Sequence, residues 1–287
     1  AAERDAADDP VSGDDANAGD DANAGTEDGA TVIQYHRPSS GCLAYMVVSD
    51  GEAVVIDPLR AFTERYVADA ENREASIVAA IDTHVHADHV SGVRELAVET
   101  GARQICPAGA KERGLAFDAE TVGDGDRIEV GAAAIEAVAA PGHTTEMTAL
   151  RLGNVLFSGD GLFLRSVARP DLERGDEGAR DLAETLYETL RDLRALPEAT
   201  IVAPGHVEAA AAPGTDGSYA ATLGEIGGRL DLLSLDRAAF VDRILDDLPP
   251  RPANYERIIE ANLGREVVED EEAFELELGP NNCAVSA

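Results

Sequence analysis

Four stretches of this chain share one grammar: an apolar run of strand length ends directly in a residue of metal-ligand type. SIVAAIDT (76–83) runs into HVHADH, AAIEAVAA (133–140) into PGHT, NVLF (154–157) into SGD, and TIVA (200–203) into PGH. In open α/β sheets, ligand sites form beyond the carboxyl ends of strands, and these side chains sit there. Glycine adjoins the ligand-type residue at Gly142, Gly159 and Gly205, where it permits the sharp turn that orients the side chain. His84 and His86, two apart in an extended segment, can converge on one ion. Asp88 and His89 open the next helix and face a neighbouring position. His84, His86, Asp88, His89, His143, Asp160 and His206 together are a donor set suited to zinc or iron. A single histidine at a strand end reads as an ordinary core or surface residue; this recurrence does not. The remaining histidine, His36, has no such company and reads as structural.

The same pattern sets the fold class. TVIQYH, LAYMVVS, AVVID, RQICP, RIEV and MTALRLG add further strands, with turn residues such as SDGE between them. AFTERYVADAENRE and VSGVRELAVETG read as helices. DLAETLYETLRDLRAL places Leu182, Leu186, Leu190 and Leu193 on one helical face. Strands and helices alternate, so the class is mixed α/β. The expected organisation has three parts. Residues 1–30 form an unstructured acidic tail carrying DDANAG twice in tandem, residues 31–212 the core, and residues 213–287 a C-terminal helical extension packed on it.

Charge narrows the function classes. Lys+Arg is 23 against 56 Asp+Glu, a formal net charge of −33, and Lys111 is the single lysine. Such a chain repels itself at low salt, and salt-adapted proteins carry surfaces of this kind. The reading is a halophilic protein. The charge argues against nucleic acid and anionic membranes as partners. No apolar run reaches transmembrane length, and the acidic N-terminus does not read as a secretory signal, so the expected location is cytoplasmic. Cys42, Cys106 and Cys283 are too irregularly spaced for a disulfide framework or a structural zinc site. Cys42 and Cys106 read as buried, and Cys283, near the end, as exposed.

THVHADH, PGHT, SGD and PGH, in this order, resemble the metallo-β-lactamase superfamily over roughly residues 31–210. The resemblance implies an αββα sandwich with its site at one edge. Two branches are in view. In glyoxalase II-like thiolester hydrolases, two zinc ions share Asp160, and Asp88, His89 and His206 hold the second. In persulfide dioxygenases, His84, His143 and Asp160 hold one Fe(II) as a two-histidine, one-carboxylate triad. There His86, Asp88, His89 and His206 orient ligands and substrate, with Asp88 and His206 as candidate catalytic residues.

The segment GDGLFLRSVARPDLE is similar to the dioxygenase branch, with Arg169, Pro170 and Asp171 on its Arg-(Thr or Pro)-Asp element. GHTTE, TLGEI (222–226) and RPANYERIIEANLG match that branch too. Arg169, and more weakly Arg165, are candidate substrate contacts; the alternative for Arg169 is an Arg–Asp brace, and Asp171 reads as structural. Two departures argue against glutathione-type recognition. GHVE puts Val207 and Glu208 where those members continue GHDY, and Val167 replaces their cysteine. The expected reaction is oxidation of a low-molecular-weight thiol persulfide by O₂ to thiol and sulfite. The partners implied are the small-molecule persulfide and O₂; the resemblance suggests a homodimer with the oligomeric state left open, any rhodanese that delivers sulfur would be a separate chain, and the thiol is open.

Overall fold

The computed structural model describes residues 22–25, 29–208, 211–278 and 283–285. Its first sheet has seven strands in sequence order: β1 (Ala22–Gly25), β2 (Thr31–Arg37), β3 (Cys42–Ser49), β4 (Glu52–Ile56), β5 (Ser76–Ile81), β6 (Arg103–Pro107) and β7 (Glu120–Val122). Strands β1 to β4 are antiparallel neighbours, whereas β4 to β7 are parallel. Parallel strands need crossovers, and α1 (Thr63–Asn72) and α2 (Val93–Thr100) supply the first two. Gly101, in the left-handed region at φ 76°, stops α2 as expected.

The second sheet is β8 (Arg127–Val130), β9 (Ala133–Ala139), β10 (Thr148–Leu152), β11 (Val155–Gly159), β12 (Ile201–Pro204) and β13 (Ala221–Thr222), ordered 13-12-11-10-9-8. Helix α3 (Gly175–Leu193) makes the parallel crossover from β11 to β12. Alternation along each strand decides which face looks where. In β3, Leu43, Tyr45 and Val47 face the opposite sheet, where Ile135, Leu150 and Phe157 meet them. Cys42, Ala44 and Met46 face outward beneath Tyr66 of α1 and Leu96 of α2. Leu193 of α3 covers Leu156 and Ala149 on the outer face of the second sheet. The result is the αββα sandwich.

Helices α4 (Leu223–Arg229), α5 (Arg237–Asp246), α6 (Tyr255–Asn262) and α7 (Asp270–Leu276) make up the C-terminal part. Phe240, Val241 and Ile244 of α5 pack on Leu186 and Leu190 of α3. Each such buried side chain stabilises the docking by roughly 1.5–3 kcal/mol. The TLGEI stretch has a local reason: Thr222 and Glu225 form a capping box that starts α4.

Two expected boundaries shift. Ala22–Gly25, assigned above to an unstructured tail, pairs antiparallel with β2; the rest of 1–28 lies outside the described residues. Strand β13, assigned to the extension, pairs with β12 and belongs to the core sheet. Among the described residues, no helix is long and apolar enough to cross a membrane.

Candidate metal centre

The two sheets are stitched together where β3 meets the loop after β12. Leu43 N donates to Gly205 O at 2.8 Å, Val207 N to Gly41 O at 2.9 Å, and Tyr45 Oη to Pro204 O at 2.7 Å. At this edge the loops after β5, β9, β11 and β12 converge.

The loop after β5 is fixed from below by Asp57, which ends β4 with a strained φ of 50°. Its carboxylate accepts Thr83 N at 2.6 Å and Thr83 Oγ1 at 2.9 Å. That hydroxyl proton is therefore spent on Asp57, and Oγ1 accepts from His84 Nδ1, 3.0 Å away. The lone pair of His84 then sits on Nε2. Burial first, and the neighbouring His86 and His143 next, hold the His84 ring well below the ordinary histidine range.

His143 Nδ1 donates to the Arg169 carbonyl at 2.8 Å, which leaves Nε2 as the acceptor in the neutral ring. The turn before it requires Gly142: at φ 140°, a Cβ there would lie 2.5 Å from Leu186 Cα. Asp160 Oδ1 is 2.6 Å from His206 Nδ1. Gly205 lets these loops touch, since a Cβ on it would lie 2.6 Å from Asp160 Oδ1.

One atom of each residue is left over. His84 Nε2, His143 Nε2 and Asp160 Oδ2 are buried without a hydrogen-bond partner. They lie 4.0 Å (His84–Asp160) and 3.9 Å (His143–Asp160) apart. All three donors fall within 4.8 Å of one another. One buried unsatisfied polar atom costs about 1–3 kcal/mol, so three facing a common point suit a shared cation. Bonds of about 2.1 Å would set such donors roughly 3–3.5 Å apart, a closure of about half to one ångström. The donors fit a divalent ion.

The other four expected ligands make hydrogen bonds of their own, and His86 Nδ1 and His89 Nε2 are likewise buried without a hydrogen-bond partner. His86 turns its Nε2 to Asp57 Oδ1 at 3.2 Å and Asp82 Oδ1 at 3.6 Å. Burial opposes its protonation, but these two carboxylates raise it well above the usual range. Asp88 Oδ2 gathers Cys42 Sγ at 3.3 Å, His89 Nδ1 at 3.0 Å and His206 Nε2 at 2.9 Å. Burial would raise the Asp88 carboxyl, and His89 and His206 instead hold it well below the carboxylate range. For His89, burial and His86 pull downward and Asp88 pushes upward, to about 9. His206, between Asp160 and Asp88, is raised well above the usual range despite its burial.

The two arginines divide. Arg165 is exposed, and its backbone N–H donates to Glu208 Oε1 at 2.8 Å. Arg169 is 1% exposed and braces the loop. Its Nε and Nη2 reach Asp171 at 2.7 and 3.0 Å, and its Nη1 reaches Pro250 O at 3.0 Å. These contacts form the Arg–Asp brace, and the Arg169 carbonyl touches the centre through His143.

The family model described as Metallo-beta-lactamase superfamily matches residues 37–206. The chain belongs to this superfamily. Within the superfamily it is similar to two kinds of relative. It is 36% identical to a hydroxyacylglutathione hydrolase of Rhodospirillum rubrum over 158 residues, 54% of this chain and 57% of that one. The chain thus spans little more than half the length of the hydrolases it matches. It is 28% identical to the mitochondrial persulfide dioxygenase ETHE1 of Mus musculus over 244 residues, 82% of this chain and 89% of that one. Among solved structures, ETHE1 from Myxococcus xanthus superposes with a TM-score of 0.72 at 25% identity, covering 82% of this chain and 99% of that one.

Several residues around this superfamily site were not singled out from sequence. Asp57 ends an apolar strand as the ligand-type residues do, and that signal was available in AVVID. Glu146, noted only within GHTTE, accepts Val85 N at 2.9 Å and Arg113 Nη1 at 2.6 Å. Asn262, at the end of α6, donates to His86 O at 3.0 Å and His89 O at 2.8 Å, and accepts Ser91 N at 2.9 Å. Nothing local marks it. Cys42 and Cys106 are buried as expected. Cys283, expected at the surface, is 2% exposed. Residues 283–285 pair with the loop after β11: Arg169 N donates to Cys283 O at 3.1 Å and Val285 N to Val167 O at 3.0 Å.

Proposed function

We propose that this chain is a mononuclear non-haem Fe(II) persulfide dioxygenase. The observation that carries this reading is the composition of the convergent triad. His84, His143 and Asp160 each offer one unsatisfied buried atom, and two imidazoles with one carboxylate are the set that suits Fe(II) with open positions. His86, which a two-zinc site would also use, gives Nε2 to Asp57 and Asp82 and keeps Nδ1 buried without a hydrogen-bond partner, so it is compatible with either branch. The coverage of ETHE1 from Myxococcus xanthus, 99% of that chain, supports the same branch.

Iron bound there would activate O₂ and accept the persulfide sulfur. The chain's own part is positional. Thr83 and the Arg169 carbonyl fix the tautomers of His84 and His143. Phe163 stands edge-on to His206, 6.0 Å between centroids, and helps to exclude water. Glu208, at the position of the missing tyrosine, holds the Arg165 N–H and Ser166 Oγ (2.9 Å) and so orders the loop beside the site. The net reaction is RSSH + O₂ + H₂O giving RSH and sulfite with two protons.

The second reading is a two-zinc thiolester hydrolase. It is favoured by the proximity of Asp88, Asp160 and His206 donors, within 4.8 Å of one another, and by the identity to the Rhodospirillum rubrum hydrolase. The test is O₂ uptake by protein loaded anaerobically with Fe(II), in molar KCl, on adding a thiol persulfide. Uptake with one sulfite per O₂ supports the dioxygenase. No uptake at full iron occupancy overturns it, and thiolester cleavage by the zinc form would then carry the second reading.

A further inference from the structure

The loops that carry His84 and His143 are tied together by side chains that the proposed reaction does not use. Glu146 lies three residues beyond His143, and its side chain is fully buried. Its Oε1 accepts Val85 N at 2.9 Å and Arg113 Nη1 at 2.6 Å, while Oε2 is buried without a hydrogen-bond partner. Val85 stands between His84 and His86, so the loop after β9 grips the loop after β5 directly beside a candidate ligand. A second grip lies on the other side of His84, where Thr148 N donates to Thr83 O at 2.9 Å. His84 is thus held at both flanking residues by the segment that follows His143.

Arg113, on the turn after β6, extends this junction to a third loop. Its Nε lies 4.0 Å from Glu173 Oε1, and the Glu173 carboxylate accepts Thr145 N at 2.6 Å and Thr145 Oγ1 at 2.8 Å. Glu173 belongs to the loop after β11, where the Arg169 carbonyl receives His143. The Arg113 side chain is only 9% exposed, and its place is fixed locally. Arg113 N donates to Gly109 O at 3.2 Å, and Ala110 packs with Val85, Cys106 and Leu263. Gly109 is required for the approach, since a Cβ there would lie 2.7 Å from Glu146 Cβ.

We propose that Arg113 is a positioning residue of the metal centre, which acts through Glu146 and Glu173 to set the separation of His84 and His143. The strands bring the two histidines to one edge of the sandwich, and side-chain carboxylates then fix the gap between their loops. A buried carboxylate without a counter-charge is strongly destabilising, so Glu146 can hold Val85 N only while Arg113 stands beside it. A planar guanidinium offers several fixed donors and serves two carboxylates at once, which the point charge of a lysine does not. The role rests on the triad reading of the centre and holds under either proposed reaction.

The test compares full-length wild type with Arg113→Met and Arg113→Lys in molar KCl, each metal-stripped and then loaded with Co(II). The readouts are cobalt affinity against a competing chelator, the visible cobalt spectrum, and urea unfolding without metal. Arg113→Met should bind cobalt about 10- to 100-fold more weakly, as when a group that orients a ligand is lost, and its visible spectrum should change. Arg113→Lys should recover stability more than affinity, since it returns the charge but not the fork. A lowered urea midpoint with unchanged affinity and spectrum would make Arg113 a brace of the fold alone and overturns the proposal. Should Arg113→Met not fold, Glu173→Gln leaves the Arg113–Glu146 pair intact and should still weaken cobalt binding severalfold; unchanged affinity there overturns the proposal as well. Persulfide turnover is measured separately on the iron form. Weakened cobalt binding in the variants of a protein without turnover would sink the dioxygenase and keep this role for Arg113; turnover in wild type with unchanged affinity in the variants would do the reverse.

Discussion

Replacing Asn262 with alanine should loosen the metal loop from 173 residues away in sequence. Its side chain makes three hydrogen bonds to the backbone of that loop, at 3.0, 2.8 and 2.9 Å. His86, His89 and Ser91, whose backbone groups it satisfies, are 2%, 2% and 5% exposed. Each bond contributes about 1 kcal/mol net, and each buried group left unpaired costs about 1–3 kcal/mol. The expected loss is therefore about 3 kcal/mol, rising to roughly 5 if no water enters. The assay is urea unfolding of the metal-free protein in molar KCl, comparing midpoint and slope with wild type. Metal affinity should also fall, by about 10- to 100-fold, as when an outer partner of a ligand is removed. Asn262→Asp should fail to rescue either value, because it turns a carboxylate oxygen toward two carbonyls. A stability loss below about 1 kcal/mol with unchanged metal affinity would refute this account of how α6 holds the loop.

Asp160→Ala should abolish turnover and reduce metal affinity by more than roughly the 100-fold of an outer partner; full metal content in the variant would remove Asp160 from the site. Arg169→Ala leaves buried Asp171 with Arg251 as its remaining arginine contact, so a loss of about 3 kcal/mol is expected; unchanged melting with a raised KM would instead make Arg169 a substrate contact. In metal-free protein, His89 is raised from 6.5 to about 9 in the fold. Its stabilising contribution is thus complete below its unfolded value and fades as pH rises through about 9. The urea midpoint should decline over that window, and less so in His89→Gln; equal slopes for both would sink the assignment. With a net charge of −33, the melting temperature should climb steeply with KCl as repulsion is screened, and an indifferent melting temperature would contradict the salt-adapted reading.

What could be read in advance follows from the range of each interaction. His84, His143, Asp160 and His206 each adjoin an apolar run within their own segment, so a local pattern betrays them. The sandwich follows from the alternation of such runs with amphipathic helices. Cys283 was misplaced because its burial depends on pairing with Val167 to Arg169, far back in the chain. Asn262 is illegible for the same reason: EANLG is an unremarkable helix end until it meets the loop before α2. The division of labour among the histidines was also hidden. His84 and His86 are two apart, yet Asp57 takes His86 and, through Thr83, orients His84. Strands β1, β7 and β13 are four, three and two residues long, too short to show a period-two pattern and ordered by their neighbours.

The placement of the donors on two sheets has a consequence for how the protein is made. The HVHADH loop belongs to the first sheet, and the residues that oppose it follow much later; 118 positions separate Asp88 from His206. While a ribosome is still working on the second sheet, this loop is an open chelator of histidines and aspartates with no cage around it. During that interval, whichever ion is abundant and binds nitrogen well has the advantage. The identity of the metal in the finished protein is then expected to follow supply during synthesis as well as the geometry that later encloses it. Two preparations of one sequence, grown on different metals, are therefore expected to differ in metal content.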